Sequence, residues 1–300
     1  MNKILTGDVF DRLPELPDES VHMVMTSPPY WNLRDYGVDG QLGLEDNTED
    51  YVSNIADVMD EVKRVLRPDG SLWLNLGDTY DNKDLQQIPA RVALELQSRE
   101  WVLRNDVTWV KPDPMPNGVK DRLITTTEQI FHFVKSKDYY YDLDSIREEY
   151  ADSSLDRGVY SGYDVGKYSE NAHGGEFHPG ENRETPQNFD VATPNDKGKN
   201  PGDVFNLPTE SFPDAHFAVY PPELCEKPIK ATCPPDGIVL DPFAGAGTTL
   251  LKAKELGRDY IGIELNPEYA DMARARVGLD VKDPSNIRDD QSQSGLEGFQ

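Results

Sequence analysis

Apolar and polar positions follow two different periods along this chain. Compact apolar runs at Lys3 to Leu5, Val21 to Met25, Ser71 to Leu76, Trp101 to Val110, Ile130 to Val134, Gly237 to Leu240 and Tyr260 to Ile263 predict buried strands. Residues 49–66 instead place Tyr51, Val52, Ile55, Val58, Met59, Val62, Val65 and Leu66 at helical spacing, and Pro68 and Gly70 stop the run. Shorter helices are predicted at Val9 to Leu13, Ile88 to Leu96, Pro221 to Lys230, Thr248 to Leu256 and Glu268 to Arg276. From about Tyr150 to Ser211 the periodicity gives way to Gly, Ser, Asn, Asp and Pro, in a stretch too long for an idle loop within a compact domain. The end, from about Asp280, is polar and acidic and is expected to be a disordered tail.

Alternating strands and helices predict an α/β fold, a mostly parallel sheet with helices on both faces. The expected organisation is one domain in two halves, 1–150 and 212–278, separated by a loop-rich insertion over 151–211 and followed by a tail over 279–300. In such sheets ligands bind at the carboxyl ends of the strands. The two most unusual loops of the chain both lie at predicted strand ends.

The composition changes the picture in one respect. Among 300 residues, 55 Asp and Glu face 30 Lys and Arg, a formal net charge of −25. Alone, this argues against a nucleic-acid partner, whose phosphates are met mainly by Lys and Arg. The reading adopted is a surface adapted to concentrated salt, a halophilic signature. At about 1 M salt the Debye length falls to roughly 3 Å, and acidic surfaces stop repelling DNA at a distance. Cys225 and Cys233 cannot form a disulfide framework. His173 and His178 have no Cys or third His beside them, so no metal is expected. No apolar run reaches the roughly 18 residues of a membrane span. The N-terminus has no signal-peptide run, and a cytoplasmic location is expected.

The segment from Ile238 to Leu250, Ile-Val-Leu-Asp-Pro-Phe-Ala-Gly-Ala-Gly-Thr-Thr-Leu, reads as a strand, a Gly-rich turn and a helix start. Gly245 and Gly247 are expected to let the backbone approach a ligand, and the amides near Thr248 to receive an anion. No lysine follows Gly247, which excludes a phosphate-binding loop of the nucleoside-triphosphatase type. Leu250 stands where the dinucleotide fingerprint needs its third glycine. Glu264, at the end of the next strand, is placed for a ribose diol. A ligand with a carboxylate and an adenosine ribose suits this layout better than a pyrophosphate does.

The second loop, Thr26-Ser27-Pro28-Pro29-Tyr30-Trp31, directly follows a buried strand. Two prolines stiffen the backbone and remove two amide donors, leaving carbonyls as acceptors. An amino group conjugated to a base ring is a poor nucleophile because its lone pair is delocalised. Acceptors that hold its hydrogens, such as the Ser27 hydroxyl and the Pro28 carbonyl, favour a more tetrahedral nitrogen. Tyr30 offers a face on which to stack the base, and a base in duplex DNA must first leave the stack.

Together the loops resemble the β-class amino-DNA methyltransferases. The catalytic loop of that family has the form Asp/Asn/Ser-Pro-Pro-aromatic and precedes an Asp-Pro-Phe-x-Gly-x-Gly-Thr-Thr loop for S-adenosylmethionine (AdoMet). The similarity covers about residues 1–150 and 202–277. It implies a Rossmann-like AdoMet-dependent methyltransferase fold with circularly permuted motif order, the insertion acting as target-recognition region. It also implies Ser27, Pro28, Pro29 and Tyr30 as catalytic residues. The implied cofactor pocket comprises Asp8, Thr26, His216, Phe217, Ala218, Asp241, Pro242, Phe243, Ala244, Gly245, Gly247, Thr248, Thr249, Glu264 and Asn266. Within it Asp8 would meet the adenine, Glu264 the ribose hydroxyls and the Gly loop the methionine part, with His216-Phe217-Ala218 closing the pocket.

Ser in the first catalytic position resembles the cytosine-N4 enzymes, and Asp there mostly the adenine-N6 enzymes. N4-cytosine methylation of a flipped base in double-stranded DNA is therefore the expected function. N6-adenine transfer, and transfer to a nitrogen of a protein or small molecule, are the other readings. C5 chemistry needs a thiolate nucleophile, and neither cysteine lies in a Pro-Cys loop. The resemblance extends to modification methylases of halophilic archaea, which implies a short palindrome such as CTAG. A cognate restriction endonuclease and either a monomer or a homodimer are compatible with it. Lys111, Lys120, Arg122, Lys135 and Lys137, the densest basic stretch, are the candidate DNA contacts. Arg34 is a candidate for enclosing the base, and Arg157, Lys167, Arg183, Lys197 and Lys199 lie in the recognition region.

Overall fold

A computed structural model describes residues 2–114, 118–150, 195–209 and 220–281. The expectations for His216, Phe217 and Ala218, for Arg157, Lys167 and Arg183, and for the tail beyond 281 lie outside the described residues. The larger of two compact units runs to Asp142 and resumes at Gly202. Its centre is an eight-stranded sheet of β1 (Lys3–Thr6), β2 (Val21–Thr26), β3 (Leu66–Leu76), β6 (Val102–Val110), β7 (Thr127–Val134), β8 (Val204–Asn206), β9 (Ile238–Asp241) and β10 (Asp259–Glu264), in the order β1-β10-β9-β2-β3-β7-β6-β8. Only β7 runs against its neighbours. A short hairpin pairs β4 (Tyr80–Asp81) with β5 (Asp84–Leu85).

Alternation along the strands sends side chains to two cores. Val24, Leu72, Leu74, Phe131 and Phe133 pack with α1 (Val9–Arg12), α2 (Thr48–Val65) and α3 (Ile88–Ser98). Met23, Met25, Trp73, Val239 and Tyr260 pack with the three later helices, α4 (Glu223–Thr232), α5 (Thr248–Glu255) and α6 (Pro267–Val277). In α2, Tyr51, Ile55, Val58, Met59, Val62 and Val65 are fully buried, each stabilising the fold by about 1.5–3 kcal/mol. The Asn47 side chain caps this helix on the Asp50 amide at 2.8 Å.

Three boundaries differ from the pattern-based expectation. The chain pairs with β2 from Leu66 onward, but the register shifts between Val21 and Met23, where Pro68 has no amide to donate. The second compact unit is Leu143–Pro201, not 151–211. Within its described part, Glu148 and Lys199 pair backbones, and Asp144 holds both Arg147 and Lys197. The third concerns β8, inside the range expected to be insertion, which extends the main sheet along β6. Three residues are too few to register as a strand within a polar stretch.

Strand order explains the placement of the two loops. The first strand lies beside the last, and β9 pairs with β2. The crevice between β9 and β2, where the winding direction reverses, opens at the carboxyl ends of both. Among the described residues no helix is long and apolar enough to cross a membrane.

Candidate active site

The two loops meet through a buried hydrogen bond. Thr26, the last residue of β2, donates its hydroxyl to Asp241 Oδ1 at the end of β9, at 2.7 Å. The same oxygen accepts from the Phe243 amide at 3.1 Å, and the Tyr220 hydroxyl donates to Oδ2 at 3.3 Å. Thr249 Oγ1 is also bonded to the Tyr220 hydroxyl and donates to the Met25 carbonyl. Full burial pushes the Asp241 carboxyl up from its ordinary range, against the pull of these hydrogen bonds. Thr26, Asp241 and Thr249 are fully buried and knit the loops together rather than lining the cavity above them.

That cavity has a volume of about 390 Å³ and runs continuously from Gly7 and Asp8, past Phe243 to Ala246 and Glu264, to Ser27–Tyr30, Lys111 and Glu128. At its cofactor end, Glu264 Oε2 accepts from the Gly245 amide at 2.7 Å and Oε1 from the Asn266 amide at 2.8 Å. A carboxylate has about four acceptor sites, so roughly two remain for the cavity. Vicinal ribose hydroxyls suit that remainder. Burial raises the Glu264 carboxyl, opposed by the two amide bonds. Asn266 also lines the cavity, although its side-chain oxygen caps α6 on the Glu268 amide. Asp8 likewise caps α1 on the Phe10 amide at 2.8 Å while lining the pocket.

The glycines divide their tasks. Gly245 lines the cavity at φ +50°, with open space where a Cβ would stand. Gly247, expected to approach a ligand, instead allows α6 to pack: at φ +80° its Cβ would sit 2.9 Å from that of Ala273. Thr248 faces the cavity, and its hydroxyl accepts from Arg276 at 3.0 Å.

At the other end, four elements meet around Tyr30. Ser27 Oγ donates to the Tyr30 hydroxyl at 3.1 Å, which donates to Glu128 Oε2 at 2.6 Å. Asn75 Nδ2, at the end of β3, donates to Tyr30 Oη and Glu128 Oε2 at 2.8 Å each and lies 3.3 Å from Ser27 Oγ. Lys111 pairs with Glu128 Oε1 and lies 4.6 Å from the centre of the Trp109 ring. Burial first, then the Glu128 charge, pushes the Tyr30 phenol well above its ordinary range. It stays protonated, a donor to Glu128. The loop itself is held from α2, where the Tyr51 hydroxyl donates to the Pro29 carbonyl at 2.8 Å.

Asn75, Glu128, Tyr51 and Tyr220 escaped sequence reasoning, as did Tyr269, whose ring meets that of Tyr36 with centroids 6.4 Å apart. So did Gly77, where a Cβ would come within 2.5 Å of the Tyr30 ring. The Gly in Leu76-Gly77-Asp78, just after a buried strand, was the one available signal.

The basic candidates scatter. Arg34 and Lys111 line the cavity, Lys111 as the partner of Glu128. Lys120 and Arg122 lie on the β6–β7 loop at the same end of the sheet, and Arg122 stacks 3.7 Å from the Tyr80 ring centre. Lys135 and Lys137 do not join them. They follow β7 at the opposite end, where Lys135 donates to the Leu66 carbonyl at 2.7 Å. Because β7 is antiparallel, residues close in sequence to the basic loop emerge on the far side. Burial raises both thiols, Cys233 to about 12, and Cys225 lies beneath the site beside Thr249. Among the described residues no group of three His, Cys, Asp or Glu side chains is placed to hold a metal.

Comparison with known proteins gives the family and the fold. A family model described as "DNA methylase", of the N6/N4 type, matches residues 21–275. The chain is 36% identical to the type II methyltransferase M.SmaI of Serratia marcescens over 92% of this chain and 90% of that one. It is also 36% identical to M.Cfr9I of Citrobacter freundii, over 91% and 87%. Among solved structures it is similar to the cytosine-N4-specific PvuII DNA methyltransferase, with a TM-score of 0.66, 21% identity and 95% and 89% of the two chains covered. It also resembles the putative DNA modification methylase TTHA0409 of Thermus thermophilus, complexed with S-adenosyl-L-methionine, with a TM-score of 0.58, 24% identity and 94% and 95% covered. The permuted Rossmann-like core, the joined loops and the matched family model lead to one conclusion: this chain belongs to the N6/N4 DNA methylases, the AdoMet-dependent amino-DNA methyltransferases.

Proposed function

We propose that the protein methylates the exocyclic N4 amino group of a cytosine flipped out of duplex DNA. The observation that carries this reading is Ser27 at the head of the Pro-Pro-Tyr loop, set by the Thr26–Asp241 bond beside the cofactor end of one continuous cavity. The likeness to a cytosine-N4-specific methyltransferase and to type II methyltransferases supports it. AdoMet supplies an electrophilic methyl group on a sulfonium. Glu264 and Asp8 hold its ribose and adenine, and Phe243, Ala244, Gly245 and Thr248 surround its methionine part. Ser27 Oγ and the Pro28 carbonyl accept the amino hydrogens and aim the nitrogen lone pair at the methyl carbon, while the Tyr30 ring stacks on the base.

Lys120 and Arg122 face the DNA backbone from the rim, and Leu143–Pro201 belongs to target recognition. The enzyme is the modification half of a type II restriction pair. Its acidic surface is an adaptation to concentrated salt, so methyl transfer persists in molar salt, where binding that rests on phosphate contacts usually fails.

The test is transfer of labelled methyl from AdoMet to DNA, followed by nucleoside analysis and sequencing of the modified positions. N4-methylcytosine is expected. N6-methyladenine would move the target to adenine, and labelling of protein but not of DNA would overturn the assignment.

A further inference from the structure

Methyl transfer to a neutral amino group leaves a positive charge on the base nitrogen, and one N–H proton must depart. We propose that Ser27, Tyr30 and Glu128 form a one-way proton path that delivers this proton to the Glu128 carboxylate. The inference rests on the reading of Ser27 as the group that meets the amino nitrogen, whichever base carries it.

The two hydroxyl hydrogen bonds along the path point the same way. Ser27 Oγ donates to Tyr30, and Tyr30 donates to Glu128 Oε2, at 3.1 Å and 2.6 Å. A proton arriving at Ser27 Oγ from the amino group is passed on as Ser27 releases its own to Tyr30 Oη and Tyr30 releases its own to the carboxylate. The step balances. The nitrogen lone pair forms the N–C bond, the C–S electron pair stays on sulfur as a neutral thioether, and the N–H electron pair returns to nitrogen. Glu128 becomes a neutral acid and both hydroxyls end as they began.

Three groups face Glu128 and fit this role. Lys111, from the end of β6, pairs with Oε1, which leaves Oε2 to Tyr30 and Asn75. Asn75, from β3, donates to Oε2 and to Tyr30 Oη, fixing the two acceptors relative to one another. Tyr30, from the catalytic loop, is held neutral by its burial and by the Glu128 charge, and Tyr51 flanks it from α2. The sulfonium charge disappears as Glu128 neutralises, so the charge of the pocket is the same before and after. The Glu128 side chain is 13% exposed and that of Lys111 20%, which gives the proton a route to water.

The test is the single-turnover rate of methyl transfer as a function of pH in the full chain and in Glu128→Gln, Glu128→Asp and Tyr30→Phe, with AdoMet affinity measured by calorimetry and DNA affinity by anisotropy. A positioned base contributes about 10²-fold or more. Glu128→Gln is expected to lose about that much rate and the acid limb of the profile, with both affinities unchanged. Glu128→Asp restores the limb and part of the rate. Tyr30→Phe matches Glu128→Gln, and the double variant is no slower than either.

The proposal fails if Glu128→Gln keeps the parental rate and acid limb, if the two losses multiply, or if the loss lies in AdoMet affinity instead. Should Glu128→Gln not fold, Glu128→Asp and Tyr30→Phe still decide it. Nucleoside analysis of the product separates the two readings: N6-methyladenine would revise the target base and leave the proton path standing.

Discussion

The two ends of the cavity are built in opposite ways. The cofactor end is largely local: apart from Gly7 and Asp8 after β1, its parts (β9, the Gly loop, the start of α5, β10 and Asn266) all lie within residues 238–266. The transfer end is assembled from distant parts of the chain: Ser27 and Tyr30 after β2, Asn75 at the end of β3, Lys111 after β6 and Glu128 on β7. A contiguous strand-turn-helix-strand needs little beyond its own backbone to set its shape. The transfer end depends on side-chain hydrogen bonds across four elements, so its geometry is only as good as the packing that holds each one. The contrast predicts that transfer and cofactor binding can be damaged separately.

The largest separation is expected at Ser27. Removing the hydroxyl in Ser27→Ala takes away the proposed acceptor for the amino group and one donor to Tyr30, with no contact to the cofactor loop. Loss of a positioned polar group at a reacting centre costs about 10²–10³ in rate. Single-turnover transfer should fall by that much while AdoMet affinity, read by calorimetry, holds. Equal losses in both would make Ser27 a structural residue and erase the contrast.

Gly77→Ala probes the same end without removing a polar atom. The new Cβ would stand 2.5 Å from Tyr30 Cε2, so the ring must move. A displacement of about 1 Å at a reacting centre costs on the order of 10²-fold. Transfer should drop by about that factor with AdoMet affinity intact, and a rate near the parental one would show that the Tyr30 position is not critical.

What was legible in the sequence follows the same division. Ser27, Tyr30, Gly245 and Glu264 sit in short contiguous strings at strand ends, where residue type and neighbour together specify a task. Strand and helix positions were legible because each buries one face with its own period, as Val24 and Met25 do on opposite sides of β2. Glu128 carried no local signal, because an acid at the start of a strand is ordinary until β7 is known to run antiparallel beside β3. That single reversal also sends Lys135 away from Lys111. Gly247 misled in another way, since a missing side chain looks the same whether a ligand or Ala273 occupies the space.

At the cofactor end the expected effect is smaller and falls on binding. Glu264→Gln keeps the shape but removes the charge that strengthens the bonds from the Gly245 and Asn266 amides and, as proposed, the ribose hydroxyls. Hydrogen bonds to charged groups contribute about 1.5–3 kcal/mol, so AdoMet affinity should weaken roughly 10-fold or more. Transfer at saturating AdoMet should stay close to the parental rate. A fall in that rate without a change in affinity would place Glu264 on the transfer side.

The smallest effect is expected where the two ends are joined, and it tests how independent they are. Thr26→Val preserves the shape and the apolar methyl but removes the hydroxyl donated to Asp241. The carboxylate keeps the Phe243 amide and the Tyr220 hydroxyl, so it is not left bare. A lost hydrogen bond with a charged, buried acceptor costs about 1.5–3 kcal/mol at most, and the two remaining donors bring the expectation to the lower part of that range. Denaturant unfolding should report that cost, with AdoMet affinity and transfer each reduced only a few-fold. If transfer instead collapsed as far as in Ser27→Ala, the loops would act as one unit through Asp241. The separation between a local cofactor end and an assembled transfer end would then hold for their construction but not for their work.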